Sequence, residues 1–208
     1  MRAPRATRSL ENRMRQCGFT RIAGVDEVGR GCLAGPVVAA AVVLDPARRV
    51  PGLRDSKLLS AAGRERLYRL VTARAAAWAV GQASADEIDR LNIHRASLLA
   101  MRRAVEGLVP PPDLLLVDAF HIPDVAIPQR GLIRGDVRSA SIAAASIVAK
   151  VTRDRLMVEL HAIDGRYGFD RHKGYATREH LDALARFGLS AAHRRTFRQP
   201  TLFDRMEG

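Results

Sequence analysis

The sequence predicts an α/β fold, a mixed central sheet flanked by helices with a helical C-terminal region, and three observations lead there. Two early apolar segments, Arg21 to Val25 and Val37 to Leu44, are joined by a short glycine-punctuated stretch, as in a hairpin. A third, Leu114 to Val117, is apolar without alternation, the pattern of a strand covered on both faces. Segments of helical periodicity then alternate with strands, which places helices against a sheet.

In order, the first strand runs into Asp26-Glu27, and Gly29-Arg30-Gly31 turns the chain before the second strand, Val37 to Leu44. Ala61 to Ala77 has helical composition, and Trp78 to Ala83 reads as a third strand. Asp86 to Val105 is the clearest amphipathic helix, with Ile88, Leu91, Leu98 and Val105 on one stripe and Arg90, Arg102 and Arg103 elsewhere. Pro110-Pro111-Pro112 breaks the chain, and the buried strand that follows delivers Asp118 at its tip. From Ser139 to about Ile163, apolar residues Ile142, Ala145, Ala149, Leu156 and Leu160 recur at helical spacing, while Ser146, Lys150 and Arg153 form a polar, cationic stripe. A last helix is expected from Thr177 to Phe187, ended by Gly188, and the tail after Phe197 has no periodicity.

At 208 residues and 47% hydrophobic content, one domain can bury its own core and wholesale disorder is excluded. The longest apolar run, Leu33 to Leu44, contains Gly35 and Pro36 and is too short to cross a bilayer, so no membrane association is expected. The arginine-rich start lacks an apolar stretch of the secretory kind and reads as a solvated tail or an amphipathic first helix. Cys17 and Cys32 have no metal-ligand spacing; two buried thiols in a reducing cytoplasm are the expectation, and the chain is read as a monomer. A formal charge of +12 points to a polyanionic partner, since cations that neutralise phosphates release condensed counterions. Lysine occurs only at Lys57, Lys150 and Lys173. In an arginine-rich background these mark places where a compact ammonium suits better than a guanidinium.

Four carboxylates share a telling placement. Asp26 and Glu27 end the first strand, Asp118 ends the buried strand, and Asp136 lies between Gly135 and a helix start. Carboxylates held together repel one another unless cations neutralise them, and hard oxygen ligands suit Mg²⁺ or Mn²⁺. Each also has a plainer reading: turn residues for Asp26 and Glu27, a cap for Asp118, a helix N-cap for Asp136. A non-catalytic nucleic-acid-binding protein would explain the charge but would give the carboxylates no role.

Longer motifs surround these residues. The run from Gly24 to Ala41 resembles the N-terminal signature of the ribonuclease HII family, the type 2 ribonucleases H. It is joined in order by Asp55-Ser56-Lys57-Leu58, Asn92-Ile93-His94-Arg95-Ala96, Ala100-Met101, Val117-Asp118, Gly135-Asp136, the run Ala144 to Asp154, and His172-Lys173-Gly174-Tyr175. The resemblance covers roughly Arg21 to Phe197. It departs at Ala119-Phe120, where many members have glycine after the aspartate, and at Ala176, where glycine is common.

The resemblance implies a ribonuclease H-like fold and an endonuclease that cuts the RNA strand of RNA/DNA hybrids. It also implies incision 5′ to single ribonucleotides in duplex DNA, leaving 3′-hydroxyl and 5′-phosphate ends. It implies that Asp26, Glu27, Asp118 and Asp136 are metal-binding and catalytic, with two divalent ions, Mn²⁺ or Mg²⁺. By the same resemblance Gly29, Arg30, Gly31, Ser56, Lys57, Ser146, Lys150, Lys173 and Tyr175 are substrate-binding. The Gly29-Arg30-Gly31 loop would approach the RNA–DNA junction and Tyr175 would stack on the deoxyribose after the ribonucleotide. Other nucleases of the fold, such as junction resolvases and integrase-like enzymes, share the metal chemistry but not those two features. The expected organisation is a basic N-terminal segment (1–20), a catalytic domain (21–165), a helical substrate-binding region (166–198) and a flexible tail (199–208). Within that tail, Gln199-Pro200-Thr201-Leu202-Phe203 resembles the short peptide with which bacterial replication and repair proteins dock on the sliding clamp.

Overall fold

The computed structural model describes residues 6–53 and 56–197. Five strands, β1 (Ile22–Val28), β2 (Val37–Leu44), β3 (Ala75–Ala83), β4 (Leu114–Asp118) and β5 (Gln129–Leu132), form one sheet in the order β3-β2-β1-β4-β5. β2 runs antiparallel to β1 and β3, whereas β1, β4 and β5 are parallel. The helices are α1 (Ser9–Gln16), α2 (Ala61–Arg74), α3 (Ala85–Leu91), α4 (Ile93–Glu106), α5 (Gly135–Arg138), α6 (Ala140–Ile163), α7 (Phe169–His172) and α8 (Arg178–Phe187).

All eight residues of β2 are buried, and the strand period of two divides them between two cores. Val37, Ala39, Ala41 and Val43 face Ala100, Met101 and Ala104 of α4. Ala40, Val42 and Leu44 face Ala144, Ile147 and Val148 of α6 and Leu67 and Val71 of α2. The backbone of α6 lies directly on β1: a Cβ on Gly24 would fall 2.1 Å from the Ser141 carbonyl carbon, so only glycine admits this crossing. The α/β fold with a mixed sheet is thus as the sequence predicts.

Several boundaries differ. α2 stops at Arg74 rather than Ala77, because Ala75 and Ala77 pair with Leu44 and Val43, and sheet pairing overrides the helical preference of alanine. The expected helix 86–105 is two helices broken at Asn92, whose φ is +68°; its side chain accepts the amide N–H groups of His94 and Arg95 at 3.0 and 3.1 Å and starts α4 afresh. The first ten residues of α6 are buried all round, not on one face. Within the stripe of Ser146, Lys150 and Arg153, Arg153 is fully buried against loop carbonyls and Ser146 is buried, whereas Lys150 stays partly exposed. β5 was invisible in the sequence because Gln129-Arg130-Gly131-Leu132 has neither alternation nor β-branched residues. Cys17 is exposed and Cys32 buried, both free, which corrects the expectation of two buried thiols.

The basic N-terminal segment contributes a helix that is tied into the core. Glu11 of α1 is buried and accepts from Ser139 Oγ (2.7 Å), Ser141 N–H (2.9 Å) and Ser141 Oγ (2.5 Å), an anion held on the N-terminus of α6. Among the described residues no helix is long and apolar enough to cross a membrane. The tail motif from Gln199 to Phe203 lies outside the described residues.

Candidate active site

β1 and β4 are parallel neighbours whose register sets Val25 beside Val117, so Asp26 and Asp118 follow at the same level, where β4 ends and β1 runs on to Val28 paired with β2 alone. In open sheets, chemistry gathers at such carboxyl ends. Asp26 is buried, and its carboxylate accepts the Glu27 N–H at 2.8 Å and a hydrogen bond from Ser146 on α6. The buried Ser56 and Ser146 hydroxyls are hydrogen-bonded to each other at 2.9 Å. Ser56 and Ser146 therefore sit behind Asp26, their hydroxyls engaged inside the protein.

Burial raises the Asp26 carboxyl well above the ordinary carboxylate range, and the charges of Glu27 and Asp118 raise it further. Glu27 is also raised, first by burial and then by Asp118, against the opposing pull of Arg30. Its Oε1 meets Arg30 Nη1 at 3.4 Å, while its buried Oε2 has no hydrogen-bond partner among the described residues. Asp118 Oδ1 accepts the Gly135 N–H at 2.7 Å, which brings the start of α5, and Asp136 on it, to the same strand end. Asp136 caps neither helix here: Arg134 holds the cap position of α5, and the Ser139 side chain caps α6.

Among the described residues no group of three or more Asp, Glu, His or Cys is arranged so that it could hold a metal ion. The donor chemistry nevertheless fits a divalent ion. Buried, mutually repelling carboxylates and an orphaned carboxylate oxygen leave a deficit of positive charge that a hard cation would meet.

Beside this corner runs the loop from Gly29 to Pro36, and two buried arginines hold it by its carbonyls. Arg153 of α6 donates to Pro36 O (2.9 Å), Ala34 O (3.0 Å) and Lys173 O (2.9 Å). Arg194 donates to Gly29 O (2.6 Å), Arg30 O (2.9 Å) and Gly35 O (2.9 and 3.1 Å). Burial lowers Arg194 to about 10. The glycines of the loop differ: Gly29 has φ +92° and a Cβ there would strike Arg153, whereas Gly31 is exposed with open space around it. Arg30 leans over the Phe120 ring, 4.7 Å from its centroid. Ala119, at a glycine position of the family signature, has φ +57°.

Tyr175 is 41% exposed, burial and the neighbouring Cys32 push its hydroxyl up, and the Lys150 ammonium lies 5.9 Å from its ring. Lys150 pairs with Asp154 at 2.6 Å, and Lys173 donates to the Asp170 carbonyl. Lys57 is exposed at the edge of the Ser56 turn. Sequence reasoning missed Arg194 and Glu11, which carry no motif, and left His172 without a role although it lies in the His172-Lys173-Gly174-Tyr175 run.

The profile of the family described as ribonuclease HII matches residues 23–200. The chain belongs to the ribonuclease HII family. It is accordingly an endoribonuclease, a hydrolase of the ribonuclease H type. A ribonuclease HII of Desulfitobacterium hafniense (strain DSM 10664 / DCB-2) is 56% identical over 180 residues, covering 86% of this chain and 69% of the relative. The ribonuclease H2 of Pyrococcus horikoshii OT3 superposes with a TM-score of 0.74 at 25% identity, covering 90% of this chain and 99% of that one. Ribonuclease HII of Archaeoglobus fulgidus, solved in a complex with PCNA, gives 0.72 at 27% identity, with 89% and 100% covered.

Proposed function

We propose that this ribonuclease HII cuts the RNA strand of RNA/DNA hybrids and incises 5′ to single ribonucleotides embedded in duplex DNA, in ribonucleotide removal in the cytoplasm. The observation that carries the proposal is the buried Asp26 with its carboxyl driven upward beside Glu27 and Asp118. Asp26, Glu27, Asp118 and Asp136 would hold two divalent ions, Mn²⁺ or Mg²⁺. Such ions supply charge neutralisation at the scissile phosphate and at the leaving 3′ oxygen, with 3′-hydroxyl and 5′-phosphate products.

The chain's own groups do the rest. Ser146, itself fixed by Ser56, orients the Asp26 carboxylate. The Gly29-Arg30-Gly31 backbone, with Gly31 facing open space, meets the ribose at the junction, where the 2′-hydroxyl distinguishes RNA from DNA. Tyr175 stacks on the following deoxyribose, where an added 2′-hydroxyl would crowd the ring. Lys57, Lys150 and Lys173 contact backbone phosphates, which position the duplex. On this reading residues 21–165 make the catalytic domain and 166–198 the substrate-binding region. Docking of Gln199 to Phe203 on a sliding clamp draws support from the PCNA complex of the Archaeoglobus relative.

The test uses three duplexes, one with a single ribonucleotide, one an all-RNA/DNA hybrid and one all DNA, each with Mg²⁺, Mn²⁺ or EDTA. Metal-dependent incision 5′ to the ribonucleotide with DNA spared is expected. Cleavage of the hybrid alone would remove the junction reading, and binding without cleavage under either metal would overturn the nuclease reading.

A further inference from the structure

Beneath Tyr175 lie three buried histidines, His172, His180 and His193, among the rings of Tyr167 and Phe169. His172 and His180 stack with centroids 4.5 Å apart. The neighbours decide where each proton sits. The Ser190 amide, which can only donate, lies 3.0 Å from His193 Nδ1, so a neutral His193 carries its proton on Nε2. That nitrogen is 3.0 Å from His180 Nε2, which must then accept. The His180 proton is left on Nδ1, 2.9 Å from the Tyr175 carbonyl oxygen, which can only accept. His172 is ordered in the same way, Nδ1 accepting the Gly174 N–H at 3.2 Å and Nε2 donating to Tyr167 O at 2.7 Å.

The ordered chain from Ser190 through His193 and His180 therefore ends on the backbone of Tyr175. It completes a set. Three consecutive carbonyls are each held by a different part of the fold: Lys173 O by Arg153, Gly174 O by the Leu33 N–H at 2.8 Å, and Tyr175 O by His180. The main chain on either side of His193 is laddered to the loop that follows Gly31, with the Gly35 N–H donating to Ala192 O at 2.8 Å and the Arg194 N–H to Leu33 O at 2.9 Å. The ring pair thus joins the Tyr175 backbone to a segment whose own main chain is fastened to that loop.

We propose that His180 and His193 are positioning residues, whose proton-ordered pair fixes the backbone of Tyr175 against the Gly29–Pro36 loop and so sets the preference for a ribonucleotide–deoxyribonucleotide junction. The inference rests on the reading of Tyr175 as the group that contacts the junction sugar. Neither histidine touches substrate, so altering them changes the choice between substrates more than the chemistry.

The test compares full-length wild type, His193→Phe, His193→Gln and Tyr175→Ala on the single-ribonucleotide duplex and the all-RNA hybrid with Mn²⁺. Glutamine keeps a donor at the position of Nε2; phenylalanine keeps bulk and loses it. His193→Phe is expected to lower the ratio of kcat/KM on the two substrates about tenfold, close to Tyr175→Ala, with hybrid cleavage within about twofold and the ratio largely restored in His193→Gln. A wild-type ratio in His193→Phe with a lost ratio in Tyr175→Ala would overturn the positioning role and leave the tyrosine reading intact. A wild-type ratio in Tyr175→Ala would overturn both. Nitrogen-15 spectra of wild-type histidine rings give a readout independent of activity and of any variant's folding: His180 as the Nδ1–H tautomer and His193 as the Nε2–H tautomer at neutral pH are expected, and the opposite pair would refute the ordered chain.

Discussion

Beside one another on β1 and β4, Asp26, Glu27 and Asp118 repel, and among the described residues Arg30 is the cation that opposes them at Glu27; in the C-terminal region, Arg153, Arg194 and three histidines are buried as deeply, yet every ring nitrogen and both guanidiniums meet a partner. The first cluster is short of positive charge, which on the proposed reading divalent cations supply. The second is satisfied from within and holds a shape. The contrast teaches how one site divides its labour: groups that must bind cations are left electrostatically frustrated, and groups that must present a surface are locked.

The two clusters also answer acid with opposite signs. Asp26 ionises higher in the folded chain than in the unfolded one, so the folded state takes up its proton first and gains stability on acidification, and loses that gain as pH rises through the folded value. His193 is pushed down to about 4 by burial and by His180, with Asp164 opposing. The unfolded chain then binds more protons between the ordinary 6.5 and about 4, and stability falls as pH drops through that window.

The largest effect expected is on turnover. Asp26→Asn should lower Mn²⁺-dependent cleavage by roughly 10³-fold or more, about 4 kcal/mol of transition-state stabilisation, in a protein that still folds. Asp136→Asn should likewise remove most activity while circular dichroism stays native, and near-normal turnover would demote Asp136 to a structural residue. Next comes Arg194→Met, which strips donors from Gly29, Arg30 and Gly35 carbonyls and should cost about 3 kcal/mol in denaturant unfolding. A loss below about 1 kcal/mol would show that the loop does not depend on that guanidinium. Smaller is the pH effect: between 6.5 and about 4, metal-free His193→Gln should lose stability less steeply than wild type, and Asp26→Asn more steeply, as thermal melts would report. Smallest is Ala119→Gly, which relieves a left-handed alanine and should gain about 1 kcal/mol.

Much of the first cluster was legible before any coordinates, because carboxylates at strand ends follow from apolar runs that finish in Asp26 and Asp118. The last helix and its end at Gly188 could be read for the same local reasons, although Thr177 caps α8 instead of starting it. The second cluster was hidden because its arginines reach residues far apart in the chain, Arg194 to Gly29 and Arg153 to Ala34, and the buried Glu11 was hidden in the same way by its bonds to Ser139 and Ser141. The break at Asn92 escaped because apolar periodicity continues across it, and β5 because its pairing to β4 rather than its own residues makes it a strand.

Completion of the carboxylate corner by a divalent cation is tested most directly by the melting temperature of wild type and Asp26→Asn at neutral pH, first in EDTA and then across a Mn²⁺ titration. In EDTA the variant should melt higher, on a scale of about 2–4 °C per kcal/mol for a chain of this size. Wild type should then gain about 2.7 kcal/mol at a hundred times its Kd, while the variant gains little. A variant that melts lower than wild type in EDTA, or that gains as much from Mn²⁺, would contradict the account.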